Sequence, residues 1–333
     1  MTNVKATFRV PTVAEPTRET SRSRFRKSAA RSNGTGADTL RGFTEELIGQ
    51  LREQHRIRTS ETYATTLHSF LRFLRAGDIP LERIDPEMIA AYEAGLKFSG
   101  VSKNTSSFYM RVLRAVYNRA VERGLTPQRM PFRHVYTGVD KTVKRAISLE
   151  EMRRIRTCDL SGNPPLEYAR DMFLLSFYLR GMSFVDMAYL KKTDLRNGML
   201  AYRRKKTGRQ LHIGWEPCMQ AIVEKYPARH PDYLLPILCT EERDEWLQYK
   251  SAGYRINRNL KRLGQLLEMP MPLTLYVARH TWASLARQQG IPLSVISEGM
   301  GHDSELTTRI YLASLDRAVV DRANRAVIDS IIE

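Results

Sequence analysis

The chain has 333 residues, a length typical of two domains, and 42% of them are apolar, enough to build sizeable cores. Lys and Arg number 53 against 36 Asp and Glu, a formal net charge of +17, which favours nucleic acid as a partner over an acidic membrane surface. No apolar run approaches the ~20 residues that span a bilayer, no signal peptide opens the chain, and the three cysteines form no CxxC pair. We therefore expect a cytoplasmic protein without a membrane segment, a disulfide framework or a zinc site.

Residues 1–36 are predicted to be a disordered basic arm. They hold eight Lys and Arg against two Glu, are rich in Ser, Thr and Gly, and close on Asn33–Gly36. Such a segment buries too little apolar surface to offset the entropy of ordering it. Two interpretations stay open: a solvated tail, or an arm that orders on a DNA backbone.

Residues 37–126 are predicted to form a helical DNA-binding domain of four helices. Apolar residues recur at three- and four-residue steps after Asp38, after Ser60, after Asp85 and from Lys103 to Gly124. The fourth helix is basic, and we select Lys103, Arg111 and Arg114 as candidate phosphate contacts, although a solvated basic face has the same pattern.

Residues 127–145 are predicted to be a basic linker, because they hold two prolines, a glycine and five basic residues without a sustained period. Lys141, Lys144 and Arg145 are its candidate DNA contacts. Ser148 and Glu151 form a candidate capping box that opens a second domain, 146–333. This domain reads as helices near 166–180 and 183–192, strands near 199–204 and 210–213, then helices to the end. The predicted fold class is mainly α with a small β-sheet.

Four short constellations in the second domain carry candidate chemistry. A hairpin tip holds Lys206 before Thr-Gly, the start of a helix reads Tyr276-Val-Ala-Arg279-His280, a turn reads Gly-His302, and Tyr311 follows nine residues later. Each alone has an ordinary interpretation: a surface hairpin, an arginine in a buried salt bridge, a structural histidine, a packed tyrosine.

In this order and spacing, the four constellations resemble the tyrosine recombinase (phage integrase) family over residues 38–333, and in detail the subgroup of gut-bacterial mobile elements and DNA-inversion systems. The resemblance implies a helical, SAM-like core-binding domain followed by a mixed α/β catalytic domain. It also implies a site-specific recombinase that cleaves and rejoins double-stranded DNA through a covalent phosphotyrosine, as a homotetramer on paired sites, with no metal or cofactor.

Carried over residue by residue, the resemblance makes Tyr311 the nucleophile, Arg279 the second arginine, His302 the occupant of the His/Trp position and Lys206 the general acid. The chain departs from the family pattern at two positions. Tyr276 stands where the family has a histidine, and is, with His280, a candidate relay for the Tyr311 proton. Ser183 stands where the family has its first arginine, when Asp186 is aligned with the acid that follows.

Two arginines are candidates to replace the missing guanidinium. Arg180 lies one helical turn before Ser183, and Arg204 lies two residues before Lys206, on the same face of a continuous strand. We slightly favour Arg204 on that ground. Two other functions remain open: a non-catalytic DNA-binding protein, and a type IB topoisomerase-like enzyme. The sequence leaves the target site open, and also the choice between integration, excision and inversion.

Overall fold

A computed structural model describes residues 38–75, 77–140, 145–312, 324–325 and 328–330, without the side chains of Ile310 and Tyr311. The predicted arm, together with Lys141 and Lys144, lies outside the described residues. The chain divides into two compact units, Met1–Lys141 and Thr142–Glu333. Among the helices of the described ranges, none combines the length and the apolar character needed to cross a membrane.

The first unit is a four-helix domain around an aromatic core. Asp85 caps its third helix by accepting from the Met88 N–H, with Pro86 at the first helical position, and Ser102 caps the fourth in the same way. Tyr92 and Tyr117 are almost fully buried in the core. The helices are α1 (Leu40–Glu53), α2 (Ile57–Leu74), α3 (Pro86–Phe98) and α4 (Lys103–Glu122).

Residues 127–140 differ from the predicted linker, because they pack on the first unit. Phe132 and Val135 are buried in its core, the Tyr117 hydroxyl donates to the carbonyl of Pro127, and the Tyr136 N–H donates to Glu93. Two buried apolar side chains and two hydrogen bonds thus attach this irregular segment to the helices. Two apolar residues do not form a periodic pattern, so the sequence did not indicate this packing.

The second unit packs further helices and one small sheet around helix α6, eight of whose 15 residues are buried. The predicted capping box is present: the Ser148 hydroxyl accepts from the N–H of Glu151, whose carboxylate accepts in return from the N–H of Ser148. α6 packs against α9 and α10. The helices are α5 (Leu149–Thr157), α6 (Pro164–Tyr178), α7 (Phe184–Ala188), α8 (Pro217–Lys225), α9 (Glu245–Leu266), α10 (Leu275–Gln288), α11 (Leu293–Gly299) and α12 (Glu305–Leu312).

The sheet is antiparallel with strand order β1 (Leu195–Arg196), β2 (Met199–Arg203) and β3 (Gln210–Gly214). β2 ends at Arg203, which pairs with Gln210, so residues 204–209 form a loop instead of continuing the strand. The premise that Arg204 and Lys206 share a strand face is therefore wrong.

The helix predicted near 183–192 is also shorter than expected, since α7 ends at Ala188. A turn precedes it, in which Arg180 and Gly181 both take positive φ angles of 58° and 70°. Arg180 thus lies in a turn and not one helical turn before Ser183, as the sequence suggested. This turn, the β2–β3 loop, α10 and the segment after α11 contain the candidate site residues.

Candidate active site

Arg279, in the second turn of α10, is held by main-chain carbonyls from two other segments. Its Nη1 donates to the oxygen of Gly181 at 2.7 Å and its Nη2 to the oxygen of Met300 at 2.8 Å. A Cβ added to Gly181 would lie 2.7 Å from the Arg279 Cα, so only glycine permits this approach. The guanidinium is 6% exposed and fixed on both sides.

Arg204 is held by the main-chain carbonyl that follows that of Met300. Its Nη1 donates to the oxygen of Gly301, one residue beyond the oxygen that holds Arg279. Its Nε lies 4.0 Å from the Asp186 carboxylate and has no hydrogen-bond partner among the described residues. A Cβ on Gly301, where φ is +64°, would come 2.8 Å from Leu211 and 3.2 Å from the Arg204 side chain. The glycine therefore makes room for the second guanidinium.

Asp186 is the buried acid beside these two arginines. One oxygen accepts from the Lys205 N–H at 2.8 Å and the other from the Ser183 hydroxyl at 2.5 Å. The carboxylate thus ties α7 to the β2–β3 loop, and Ser183 orients it. We used Asp186 only to align the sequence, although the Ser-x-x-Asp spacing is the signal for such a local hydrogen bond.

His302 contacts both Arg279 and the helix that follows. Its Nε2 lies 3.1 Å from the Arg279 Nη2 and its Nδ1 2.7 Å from the Thr308 hydroxyl. The pKa of His302 is lowered to about 4, first by burial and then by the charges of Arg279, Arg204 and Lys206 in that order. His302 is therefore neutral at physiological pH.

The two lysines of the β2–β3 loop have different surroundings. Both side chains are exposed, and the charge of Lys206 acts on His302. The ammonium of Lys205 lies 3.3 Å from the centre of the Tyr189 ring, and burial lowers its pKa. Lys205, which sequence reasoning missed, anchors the loop beside Lys206.

The other predicted site residues lie around this cluster. Arg180 makes no hydrogen bond to the described part of the chain, but its charge acts with those of Arg204 and Arg279 on Tyr202. Tyr276 is half exposed. The centres of its ring and the His280 ring lie 4.4 Å apart with the rings edge to face, and the described ring contact of Tyr276 is therefore with His280 and not with Arg279.

His280 itself has a pKa lowered to about 4, by burial and then by the charges of Arg145 and Arg279. Tyr311 falls in the last turn of α12, the helix of Thr308, and its side chain lies outside the described residues.

The candidate DNA contacts that the structure describes are exposed. Lys103, Arg111 and Arg114 lie on α4 and Arg145 precedes α5. Lys103 is partly engaged, with its ammonium 3.6 Å from Asp140 and 4.4 Å from the centre of the Tyr136 ring.

A second basic surface, on α9, was missed by the sequence analysis. Its exposed basic residues are Lys250, Arg255, Arg258, Lys261 and Arg262. The helix has one acid, Glu245, in its first turn. Basic residues at steps of three and four with no acid between them are the signal that marks this face.

Two family models match the chain: Phage integrase SAM-like domain over residues 39–135 and Phage integrase family over residues 148–317. Among curated relatives, Tyrosine recombinase XerC of Leptospira interrogans is 21% identical over 83% of this chain and 90% of its own. Tyrosine recombinase XerA of Pyrococcus furiosus is 26% identical over 87% and 90%.

Among solved structures, a lambda integrase dimer bound to a COC′ core site has a TM-score of 0.64 at 17% identity, over 84% of this chain and 98% of that one. The Tn1549 transposon integrase with a circular intermediate DNA has a TM-score of 0.61 at 17% identity, over 84% and 99%. Both match the two-unit architecture described above.

Proposed function

This chain belongs to the phage integrase family and is a tyrosine site-specific recombinase, and we propose that it cuts and rejoins DNA through a phosphotyrosine formed on Tyr311. The observation that carries the site assignment is the convergence of Arg204, Arg279 and His302 on one turn, Met300–His302. Two guanidiniums and an imidazole at one place suit the non-bridging oxygens of a phosphodiester.

The reaction needs cationic side chains beside the phosphate, because one bond to phosphorus forms while another breaks. The Tyr311 oxygen attacks phosphorus and loses its proton, the bond from phosphorus to the 5′ oxygen breaks, and negative charge grows on the non-bridging oxygens. Arg204 and Arg279 are already fixed by carbonyls, so they stabilise that charge without reorganising. The buried Nε–H of Arg204, which has no hydrogen-bond partner within the described part of the chain, is suited to an anionic acceptor.

The leaving 5′ oxygen needs a proton, which we assign to Lys206. Its exposed ammonium at the loop lies close enough to act on His302, and a lysine on a loop can follow the leaving group. The free pKa of a tyrosine is near 10, so the cationic cluster would favour ionisation of Tyr311. His280 and Tyr276 are candidate relays for that proton.

The DNA is bound, in this proposal, by basic residues of both units. Those of α4, Arg145 and the basic face of α9 would contact phosphates. One related structure is a lambda integrase tetramer bound to a Holliday junction, which supports a homotetramer acting on paired sites. We propose the cytoplasm as the site of action, and the DNA substrate supports this location.

A covalent-trapping assay tests the assignment of Tyr311. The full chain is incubated with a pool of nicked duplexes of randomised sequence, so that a cut next to the nick releases a short strand and traps the adduct. We expect a DNA adduct of the wild type on a denaturing gel, and none from Tyr311→Phe, which keeps the ring but lacks the nucleophile. Tyr254→Phe, at an exposed tyrosine of α9, is the matched control.

The trapping assay, together with a duplex-binding assay and a plasmid-relaxation assay, separates the alternatives. An adduct from Tyr311→Phe at the wild-type level would show that another residue is the nucleophile. A non-catalytic DNA-binding protein shifts the duplexes but gives no adduct in either form. A topoisomerase-like enzyme relaxes a supercoiled plasmid that lacks paired sites, whereas a recombinase requires two sites for exchange.

A further inference from the structure

The hydrogen bonds of His302 identify which of its nitrogens carries the proton. Arginine has only N–H donors, so the Nε2 that lies 3.1 Å from the Arg279 Nη2 accepts. In a neutral imidazole the other nitrogen then carries the hydrogen, and Nδ1–H donates to the Thr308 hydroxyl at 2.7 Å. The DNA-free protein therefore holds the Nδ1–H tautomer.

That tautomer has no N–H on the side that faces Arg279. If Nε2 were protonated instead, two donors would oppose each other across 3.1 Å, which is repulsive. An anionic oxygen placed between them would accept from both and remove the conflict. The lowered pKa of His302 keeps the ring uncharged in the DNA-free protein, and an uncharged ring gains an N–H on that side by changing tautomer.

We propose that Thr308 is a positioning residue that lets His302 change from the Nδ1–H to the Nε2–H tautomer when a phosphate oxygen enters between His302 and Arg279. The proton leaves Nδ1 to water and another is taken from water by Nε2, so the charge does not change. The inference rests on the proposed function, since it takes this oxygen to belong to the scissile phosphate.

A hydroxyl is suited to this role because it donates and accepts. In the first state the Thr308 oxygen accepts from Nδ1–H, and in the second its O–H donates to the bare Nδ1. Thr308 is fully buried, so water does not replace it. Without the hydroxyl, the second state would leave a buried nitrogen without a donor, and that tautomer would be about tenfold less populated.

The tautomer is read directly from the ¹⁵N shifts of the ring in the full chain with labelled histidine, and a second sample with labelled arginine reports on Arg279. The chain has seven histidines, and the spectrum of His302→Gln assigns the resonances of His302. Inorganic phosphate is the probe, titrated at constant ionic strength against chloride. We expect protonated Nδ1 without phosphate and protonated Nε2 at saturation.

Variants of Thr308 separate a positioning role from simple packing. Thr308→Val keeps the shape without the hydroxyl and should need about tenfold more phosphate to reach the Nε2–H form. Thr308→Ser should restore the wild-type response. Thr307→Val, at the exposed neighbour on the same helix, is the control and should also behave as wild type.

The outcomes distinguish this inference from the function on which it rests. Phosphate that shifts the Arg279 resonances but leaves Nδ1 of His302 protonated overturns the tautomer change and leaves the recombinase assignment standing. A wild-type response in Thr308→Val overturns the role of Thr308. No effect of phosphate on either residue contradicts both proposals. The wild-type titration decides the tautomer change even where Thr308→Val does not fold.

Discussion

Arg204 and Arg180 differ in how firmly the protein holds them. Arg204 is 6% exposed and shares the Met300–His302 turn with Arg279. Arg180 lies in a turn with positive φ and makes no hydrogen bond to the described residues. A preorganised cation contributes more to transition-state stabilisation than a mobile one. Arg204 is therefore our choice for the guanidinium that is absent at Ser183.

Replacing Arg204 by alanine should lower the single-turnover rate of DNA cleavage by about a hundredfold, the usual effect of losing one fixed donor to the transition state. Binding of duplex DNA should stay nearly intact, because one of many cations is lost. Arg203→Ala, at the exposed neighbour, is the control, and Arg180→Ala should cost less than tenfold. A larger loss for Arg180→Ala than for Arg204→Ala would reverse the assignment.

The lowered pKa of His302 gives the second unit a pH-dependent stability. Its folded-state value, about 4, lies below the ordinary 6.5, so between these pH values the unfolded chain binds more protons. Stability is complete above pH 6.5 and falls as the pH decreases, by about 2 kcal/mol at pH 5. All three tryptophans lie in the second unit, so their fluorescence in urea follows it alone. His302→Gln should remove this contribution and leave the similar one of His280, whose pKa is also lowered to about 4.

Sequence reasoning selected Arg279 and His302 for one site, and the structure places them 3.1 Å apart. It selected Arg204 for a wrong reason, because β2 ends one residue earlier. Thr308 and Lys205 were missed. Their roles depend on contacts with His302 and Tyr189, and neither contact follows from local spacing. The assignments of Tyr311 and Lys206 stay predictions.

Among the elements, the turn between α6 and α7 is the most tightly constrained. Gly181 and Gly198 have nearly the same positive φ, 70° and 71°, but only Gly181 has another backbone against it. Gly198→Ala should therefore cost about 1–2 kcal/mol, the penalty of left-handed backbone alone. Gly181→Ala should cost at least ~2 kcal/mol more, from the clash with Arg279.

The free energy of unfolding is measured in urea with tryptophan fluorescence as the signal, and DNA cleavage is assayed in parallel. The clash also displaces Arg279, so Gly181→Ala should lose cleavage even at temperatures where it is folded, and Gly198→Ala should not. Equal losses of stability in the two variants would contradict the close approach.

The β2–β3 loop depends on Tyr189 through Lys205. Tyr189→Leu removes the ring beneath the ammonium, and the loosened loop should slow cleavage by roughly tenfold, a loss matching an interaction of about 1–2 kcal/mol. Tyr189→Phe keeps the ring and should cleave normally. A substrate with sulfur at the 5′ bridging position needs no general acid, so it should restore the rate of Tyr189→Leu if the ring acts through Lys206. An unrestored rate would assign the ring another role.

Helices with caps and clear periodicity could be predicted from sequence, as Asp85–Pro86 and the Ser148–Glu151 box illustrate. The short α7 and the β2–β3 loop could not. Asp186 accepts from the Lys205 N–H, so a long-range contact determines the local backbone there.

At the scale of the whole molecule, the net charge of +17 implies steep salt dependence of DNA affinity. Each phosphate contact adds about 0.9 to the slope of log K against log salt. Removing two cations of the α9 face, in Arg258→Ala with Lys261→Ala, should lower that slope by about 2. Arg153→Ala with Arg156→Ala on α5, an equal loss of charge, should leave it unchanged. If the two double variants changed the slope equally, the salt dependence would reflect the net charge of the protein and not contacts between α9 and phosphates.

Deleting residues 1–35 extends the same measurement to the arm. If the arm contacts phosphates the slope should fall, and an unchanged slope would identify a solvated tail. Composition predicted the two-unit organisation and the basic character of the chain. It did not predict that residues 127–140 fold onto the first unit, because Phe132 and Val135 lie within a stretch whose average character is polar.

The two consecutive carbonyls that hold the guanidiniums have a consequence for how the site responds to change. Met300 and Gly301 are consecutive residues, and the carbonyl of each accepts a hydrogen bond from one arginine. A displacement of this turn therefore moves a support of both guanidiniums at once. Arg279 would still be held by the carbonyl of Gly181, so Arg204 is the cation that depends more on the position of this turn.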